Sequence, residues 1–348
     1  MEQKTAPSPP QSDVENASPR ARMRDAFGRT ISYLRISVTD RCDLRCRYCM
    51  AEDMVFMPRR NLLSTDELVG IAHHFIDRGI DTIRLTGGEP LTRKDIDDVA
   101  ARIGERIGHG LNALNLTTNA TLLDQHAHAL AKAGVRRVNI SLDTLDPIDF
   151  AYITRGGSMD AALRGISTAR DAGLSIRINM VAMAGFNDHM LAEMLDFCED
   201  GGFDLALIES MPMGDTGSYR PRSHVAMDEF LTPITRDAIV EPIGHNTPGP
   251  ARWMRIAGRN VRIGLIAPIS HNFCDGCNRI RMGADGKVHG CLGHDAAIDL
   301  AGAWRDGGVD GLAPLLDRLM ATKAERHIFR IGDTGESGPS RHMSATGG

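Results

Sequence analysis

The chain has 348 residues, 42% hydrophobic and 24% charged, a globular composition, and its formal net charge of -5 gives no sign of a nucleic-acid partner. No apolar run approaches the ~20 residues that cross a bilayer, and residues 1 to 25 lack the apolar core of a signal peptide. Seven cysteines, grouped rather than scattered, exclude a secreted disulfide scaffold and point to metal ligation in a reducing compartment, the cytoplasm.

Residues 1–29 open with Pro7, Pro9, Pro10 and Pro19 among Ser, Gln and Glu, too polar to bury a core, and read as a disordered tail. From Tyr33 onward short apolar runs alternate with helical patterns. Strands are expected at 33–38, 81–86, 112–117, 136–142, 174–182 and 203–209. Helices are expected from the Ser64…Glu67 capping box to about Arg78, and near 93–107, 122–133, 159–172 and 187–200. Such alternation demands parallel strands with right-handed crossovers, either a doubly wound sheet or a barrel over residues 30–210. Both place the active site at the C-terminal strand ends. Residues 211–250, rich in Met, Pro and Gly, read as a connector. Residues 251–348 form a C-terminal region with a strand near Asn260–Ile266 and a closing helix from Pro314 to Lys323.

The loop after the first strand holds Cys42, Cys46 and Cys49 in a C-x3-C-x2-C spacing. Three thiolates leave one iron of a 4Fe-4S cluster open to bind a small molecule; a Cys3His zinc site is the alternative. With Tyr48 before the third cysteine, the loop resembles the signature of the radical S-adenosylmethionine superfamily. That resemblance implies a partial, open (β/α)6 TIM-type barrel, in agreement with the six strand–helix units of the sequence.

Near the other end, Cys274, Cys277 and Cys291 are spaced C-x2-C-x13-C. Asp285-Gly286 favours a tight hairpin that would return Cys291 alongside Cys277. A zinc knuckle completed by His271, His289 or His294 is the structural alternative. Cys198 belongs to neither group, and its helical context suits a buried apolar role. The two sets together, with Asn278-Arg279-Ile280-Arg281 and the C-terminus His342-Met343-Ser344-Ala345-Thr346-Gly347-Gly348, resemble the GTP 3′,8-cyclase family of molybdenum cofactor biosynthesis.

The resemblance implies two 4Fe-4S clusters, one on each cysteine triad, and S-adenosylmethionine bound by Tyr48, Gly88, Glu89, Ser141 and Met211. It assigns GTP to Arg35, Arg84, Thr117, Arg177, Arg279, Ile280 and Arg281, with Arg279, Arg281, Gly347 and Gly348 acting in catalysis. Physically, Gly87-Gly88 permits close backbone approach, Glu89 can accept from an ammonium group, and arginine forks suit phosphates. At position 177 the family commonly has Lys where this chain has Arg177. A lyase is implied, making (8S)-3′,8-cyclo-7,8-dihydroguanosine 5′-triphosphate with electrons from a flavodoxin- or ferredoxin-type donor. Cyclic pyranopterin monophosphate synthase would act downstream, and a homodimer is compatible with the assignment. The rival enzyme is a radical S-adenosylmethionine peptide-maturing enzyme with an auxiliary cluster, and the rival of another class is a non-catalytic protein with two zinc sites.

Overall fold

The computed structural model of the protein describes residues 22–214, 223–236, 238–245, 247–331 and 337–347. The six expected strands form as β1 (Tyr33–Ser37), β2 (Thr82–Thr86), β3 (Ala113–Thr118), β4 (Val135–Ser141), β5 (Ser175–Ala182) and β6 (Asp204–Glu209). All five neighbouring pairs are parallel. Between them run the helices α1 (Thr65–Asp77), α2 (Ile96–Gly104), α3 (Leu123–Lys132), α4 (Pro147–Thr154), α5 (Met159–Asp171) and α6 (Leu191–Gly201). The capping box is present: Ser64 Oγ accepts from Glu67 N at 3.3 Å and Glu67 Oε2 accepts from Ser64 N at 2.8 Å. α4 was not expected. Its start is nonetheless written locally, since Asp146 Oδ1 accepts from the Ile148 and Asp149 amides at 2.8 Å and Pro147 fills the first turn.

The C-terminal region is not a separate body. β9 (Ile263–Ile266) pairs parallel with β6, and β10 (Arg279–Met282) pairs parallel with β1, so late strands add one edge each to the six-stranded core. Outside them lie antiparallel β8 (Arg252–Ile256) with β7 (Val240–Pro242), and β11 (Lys287–His289) with β12 (Ile298–Asp299). The chain order across the sheet is β12-β11-β10-β1-β2-β3-β4-β5-β6-β9-β8-β7. Residues from β10 and β9, which flank the six-stranded core on opposite sides, nonetheless line one cavity together with β1, β2 and β5, which requires the sheet to curl into an open barrel. The hairpin at Asp285-Gly286 forms as expected, with Arg281 opposite His289.

Two boundaries move. Residues 1–21 lie outside the described residues, whereas 22–29, assigned to the tail, are built into the protein. Met23 is buried, and Arg29 pairs with Asp25 at 2.6 Å. Within the expected connector a helix, Met227–Thr235, buries Met227, Phe230 and Leu231 against the core. No described helix is long and apolar enough to cross a membrane.

Candidate active site at the mouth and floor of the barrel

The first cysteine loop leaves β1 and is strapped to α4, where Arg45 N and Arg47 N donate to the Thr154 and Ile153 carbonyls at 3.1 and 2.9 Å. Arg155, held left-handed at φ 57°, reaches back to the Arg45 and Met50 carbonyls. Cys42, Cys46 and Cys49 line a chamber of about 920 Å³ with Tyr48, Gly88, Ser141 and Met211. Four of the five expected S-adenosylmethionine contacts therefore share a wall with the first triad. Burial pushes the Cys42 and Cys46 thiols above their ordinary range, and nearby negative groups push further, Glu89 on Cys42 and Cys49 on Cys46. Thiols so buried give up their protons more readily to a bound cation, which suits a metal cluster.

Glu89 is the exception among the expected contacts. It is fully buried and absent from the chamber wall, and its oxygens accept from Leu91 N, Thr118 Oγ1 and Asn119 N at 3.0, 2.8 and 2.7 Å. These bonds tie the glycine loop to the end of β3. The glycines also serve a different neighbour. A Cβ on Gly88 would stand 2.3 Å from the Arg41 carbonyl oxygen, and one on Gly87 2.4 Å from that of Thr39. Gly88 N donates to the Thr39 carbonyl at 2.9 Å and Glu89 N to that of Arg41 at 2.8 Å. The pair lets the glycine loop seat the cysteine loop itself.

A second chamber of about 1100 Å³ adjoins the first. Arg35, Arg84, Arg177, Arg279, Ile280 and Arg281 line it, as expected for the substrate, and so do Cys274, Cys277 and Cys291. The strand register explains the arginines: Arg281 on β10, Arg35 on β1 and Arg84 on β2 are direct cross-strand neighbours in one row. Like charges placed opposite each other destabilise a sheet unless an anion joins them. Among the described residues none of Arg35, Arg84, Arg279 and Arg281 has a carboxylate at ion-pair distance. Arg35, Arg177 and Arg279 each bury an Nε without an acceptor. Tyr33 stands in their midst, its hydroxyl accepting from Arg84 Nε at 2.6 Å and its ring under Arg279 at 5.5 Å. Burial would raise its phenol, but Arg84, Arg35 and Arg279 outweigh that and hold it below the ordinary range. Arg177 is partly neutralised, pairing with Asp204 at 3.4 Å and lying 4.4 Å over the Trp253 ring.

Thr117 does not line this chamber. It faces the first one, and its Oγ1 accepts from Arg84 Nη1 at 3.3 Å, so it orients an arginine across the partition. Gly347 lines neither chamber; it is buried at φ 75°, its carbonyl accepts from Arg281 Nη1, and a Cβ would stand 2.0 Å from Thr86 Cγ2. The tail thus enters the barrel and holds an arginine. Gly348 lies outside the described residues. Asn179, Ile208, Met211 and Met343 line both chambers and form the boundary between them.

Tyr33, Asn139, Asn179 and Met343 were missed in the sequence. The first three had a signal, because each lies two residues from an expected site residue on one strand face. Met343 had none, since only the return of the tail brings it in. Cys198 is fully buried as expected, and burial pushes its thiol up to about 12.

Each histidine of the zinc alternative uses one ring nitrogen in a hydrogen bond: His271 with Asp228 at 3.1 Å, His289 with the Ala296 carbonyl at 3.1 Å, His294 with that of Arg326 at 2.7 Å. Among the described residues no three Cys, His, Asp or Glu side chains close around a single-ion position. The first triad lines one chamber and the second triad lines the other.

Residues 36–198 match the Radical SAM superfamily and residues 203–329 match Molybdenum Cofactor Synthesis C. GTP 3′,8-cyclase of Erythrobacter litoralis is 46% identical over 325 residues, covering 93% of this chain and 98% of that protein. The GTP 3′,8-cyclase of Rhizobium etli is 44% identical over 341 residues, covering 96% and 98%. SuiB of Streptococcus suis bound to S-adenosylmethionine shares the fold at TM-score 0.59 and 19% identity, over 84% of this chain and 69% of that one. With both halves matched and relatives covered end to end, the chain belongs to the GTP 3′,8-cyclase family of radical S-adenosylmethionine enzymes.

Proposed function

We propose that this chain converts GTP to (8S)-3′,8-cyclo-7,8-dihydroguanosine 5′-triphosphate, a lyase reaction that opens molybdopterin biosynthesis. The observation that carries the reading is the cross-strand row Arg281–Arg35–Arg84, an uncompensated cationic floor one boundary away from a cysteine-lined chamber. A polyanion is what such a row lacks, and a nucleoside triphosphate long enough to cross the second chamber brings its ribose to the boundary residues.

When bound, S-adenosylmethionine and a reduced 4Fe-4S cluster on Cys42, Cys46 and Cys49 supply a carbon radical able to take hydrogen from an unactivated C–H bond. Tyr48, Gly88, Ser141 and Met211 hold that cofactor. Arg35, Arg84, Arg279 and Arg281 fix the triphosphate, with Tyr33 and Thr117 orienting Arg84 and the Gly347 carbonyl orienting Arg281. Arg177, already shared with Asp204, contributes its remaining face. Ile208, Met211 and Met343 keep water from the boundary, where hydrogen leaves ribose C3′, C3′ joins guanine C8, and N7 then takes up one electron from the external donor and one proton. A second cluster on Cys274, Cys277 and Cys291 would fix the base. We further assign electron supply to a flavodoxin- or ferredoxin-type protein, product use to cyclic pyranopterin monophosphate synthase, and the site of action to the cytoplasm.

The test is anaerobic turnover of the reconstituted, reduced protein with S-adenosylmethionine and GTP deuterated at C3′. Deuterium in the released 5′-deoxyadenosine is expected. Cofactor cleavage without transfer overturns the substrate position, and an intact iron–sulfur protein that cleaves nothing overturns the reaction class.

A further inference from the structure

Lys323 is 4% exposed, and its ammonium points at the second cysteine triad from behind the substrate chamber. Nζ donates to the Gly290 carbonyl at 2.7 Å and lies 3.6 Å from Cys277 Sγ. Its stem lies flush on Gly290, where a Cβ would meet the Lys323 Cα, Cβ and Cγ all at 3.3 Å, so the missing side chain of Gly290 is what admits it. The backbone that follows is clamped as well, since Arg29 donates to the Ala324 and Glu325 carbonyls at 2.8 and 2.7 Å. Among the described residues no carboxylate pairs with this ammonium. A buried cation with one neutral carbonyl partner is poorly compensated, and among the described residues a cysteine sulfur is the group in its reach that can carry negative charge.

We propose that Lys323 is the fixed counter-charge of the second thiolate site, its ammonium donating to the Cys277 sulfur and raising the reduction potential of the iron–sulfur cluster held there. The inference rests on the reading of Cys274, Cys277 and Cys291 as cluster ligands. Lys323 is a positioning residue. It touches a ligand sulfur and not the substrate, and nothing in the first triad shares it. It also lines a cleft with Gly290, Cys291 and His294 on the far side of Cys291 from the substrate chamber, so the charge screens the cluster from that side.

The test compares wild type with Lys323→Gln, which keeps a donor for the Gly290 carbonyl and loses the charge, and with Lys323→Arg, which keeps the charge. Full-length proteins are reconstituted anaerobically, iron and sulfide are counted, and the clusters are titrated against potential by electron paramagnetic resonance. The second cluster's signal is the part that persists when Cys42, Cys46 and Cys49 are replaced by Ser. Lys323→Gln is expected to shift that midpoint negative or to lose second-site iron selectively, with Lys323→Arg restoring the value toward wild type. An unchanged midpoint and iron count in Lys323→Gln overturns the proposal. Wild-type protein that binds iron at the first triad alone overturns instead the cluster reading on which it rests, and the two failures are told apart by the iron count before any variant is made.

Discussion

Arg29 donates from Nη1 to the carbonyl oxygen of Cys274 at 2.8 Å, joining a segment before β1 to a cysteine 245 positions later. The same guanidinium also reaches the Glu325 and Ala324 carbonyls, and its Nε pairs with the buried carboxylate of Asp25. One side chain therefore braces the ligand loop and the Lys323 segment together.

Arg29→Ala removes those bonds and leaves Asp25 buried without its partner. Hydrogen bonds to charged groups contribute about 1.5–3 kcal/mol each, and a stranded buried charge costs more. The urea unfolding midpoint is expected to fall, and iron to be lost from the second triad ahead of the first. Equal loss at both sites would show that the brace acts on the whole fold.

Gly88→Ala tests which neighbour the glycine loop was built for. The new Cβ would meet the Arg41 and Asp40 carbonyl oxygens at 2.3 and 2.8 Å, both backbone atoms that cannot swing away. Displacement of the cysteine loop is expected, read as iron lost from the first triad before any cofactor is added. Full iron with weakened S-adenosylmethionine binding would mean that the glycine serves the ligand alone.

Glu89 gives the pH dependence. Burial raises its carboxyl from the usual 4.5 to about 8, against the pull of its three hydrogen-bond donors. A folded-state value above the unfolded one favours the protonated form in the fold. Its contribution is thus complete below pH 4.5 and is lost as pH rises toward about 8. Over that window this group alone is expected to lower stability with a limiting slope of about 1.4 kcal/mol per pH unit. Glu89→Gln, which cannot ionise, should flatten the dependence in urea titrations of the metal-free protein; an unchanged profile would assign the titration elsewhere.

Gly347 is fixed by conformation and by contact. Gly347→Ala meets a φ of 75° and Thr86 Cγ2 at 2.0 Å, so the tail should withdraw and release Arg281. Cyclisation is expected to fall at least tenfold while first-site iron stays in place. Thr86→Ala removes the closest atom, so the double variant is expected to recover part of the loss. Recovery to no degree would mean that backbone strain, rather than Thr86, expels the tail.

Much of this protein was legible locally. The six parallel strands follow from apolar periodicity, the first turn of α1 from Ser64 and Glu67, and the β10–β11 hairpin from Asp285-Gly286, because each rests on contacts within a few residues. Both triads stood out by spacing and residue type, whereas the arginines of β1, β2 and β10 were marked only by the family resemblance. The structural ties of Glu89 were not legible, because a sequence shows a carboxylate and not the three donors that the fold brings to it.

The sequence by itself determined the alternation that makes a curled parallel sheet and the two sets of three thiols, since these depend on side-chain chemistry at short range. Tertiary structure alone decided that Arg281, Arg35 and Arg84 form one row and that Met343 and Gly347 enter the barrel. It also decided that Arg29 and Lys323 stand behind the second triad. These contacts join segments from 46 positions apart, for Lys323 and Cys277, to 245, for Arg29 and Cys274, and long-range strand pairing rather than any local preference of the chain sets the arginine row.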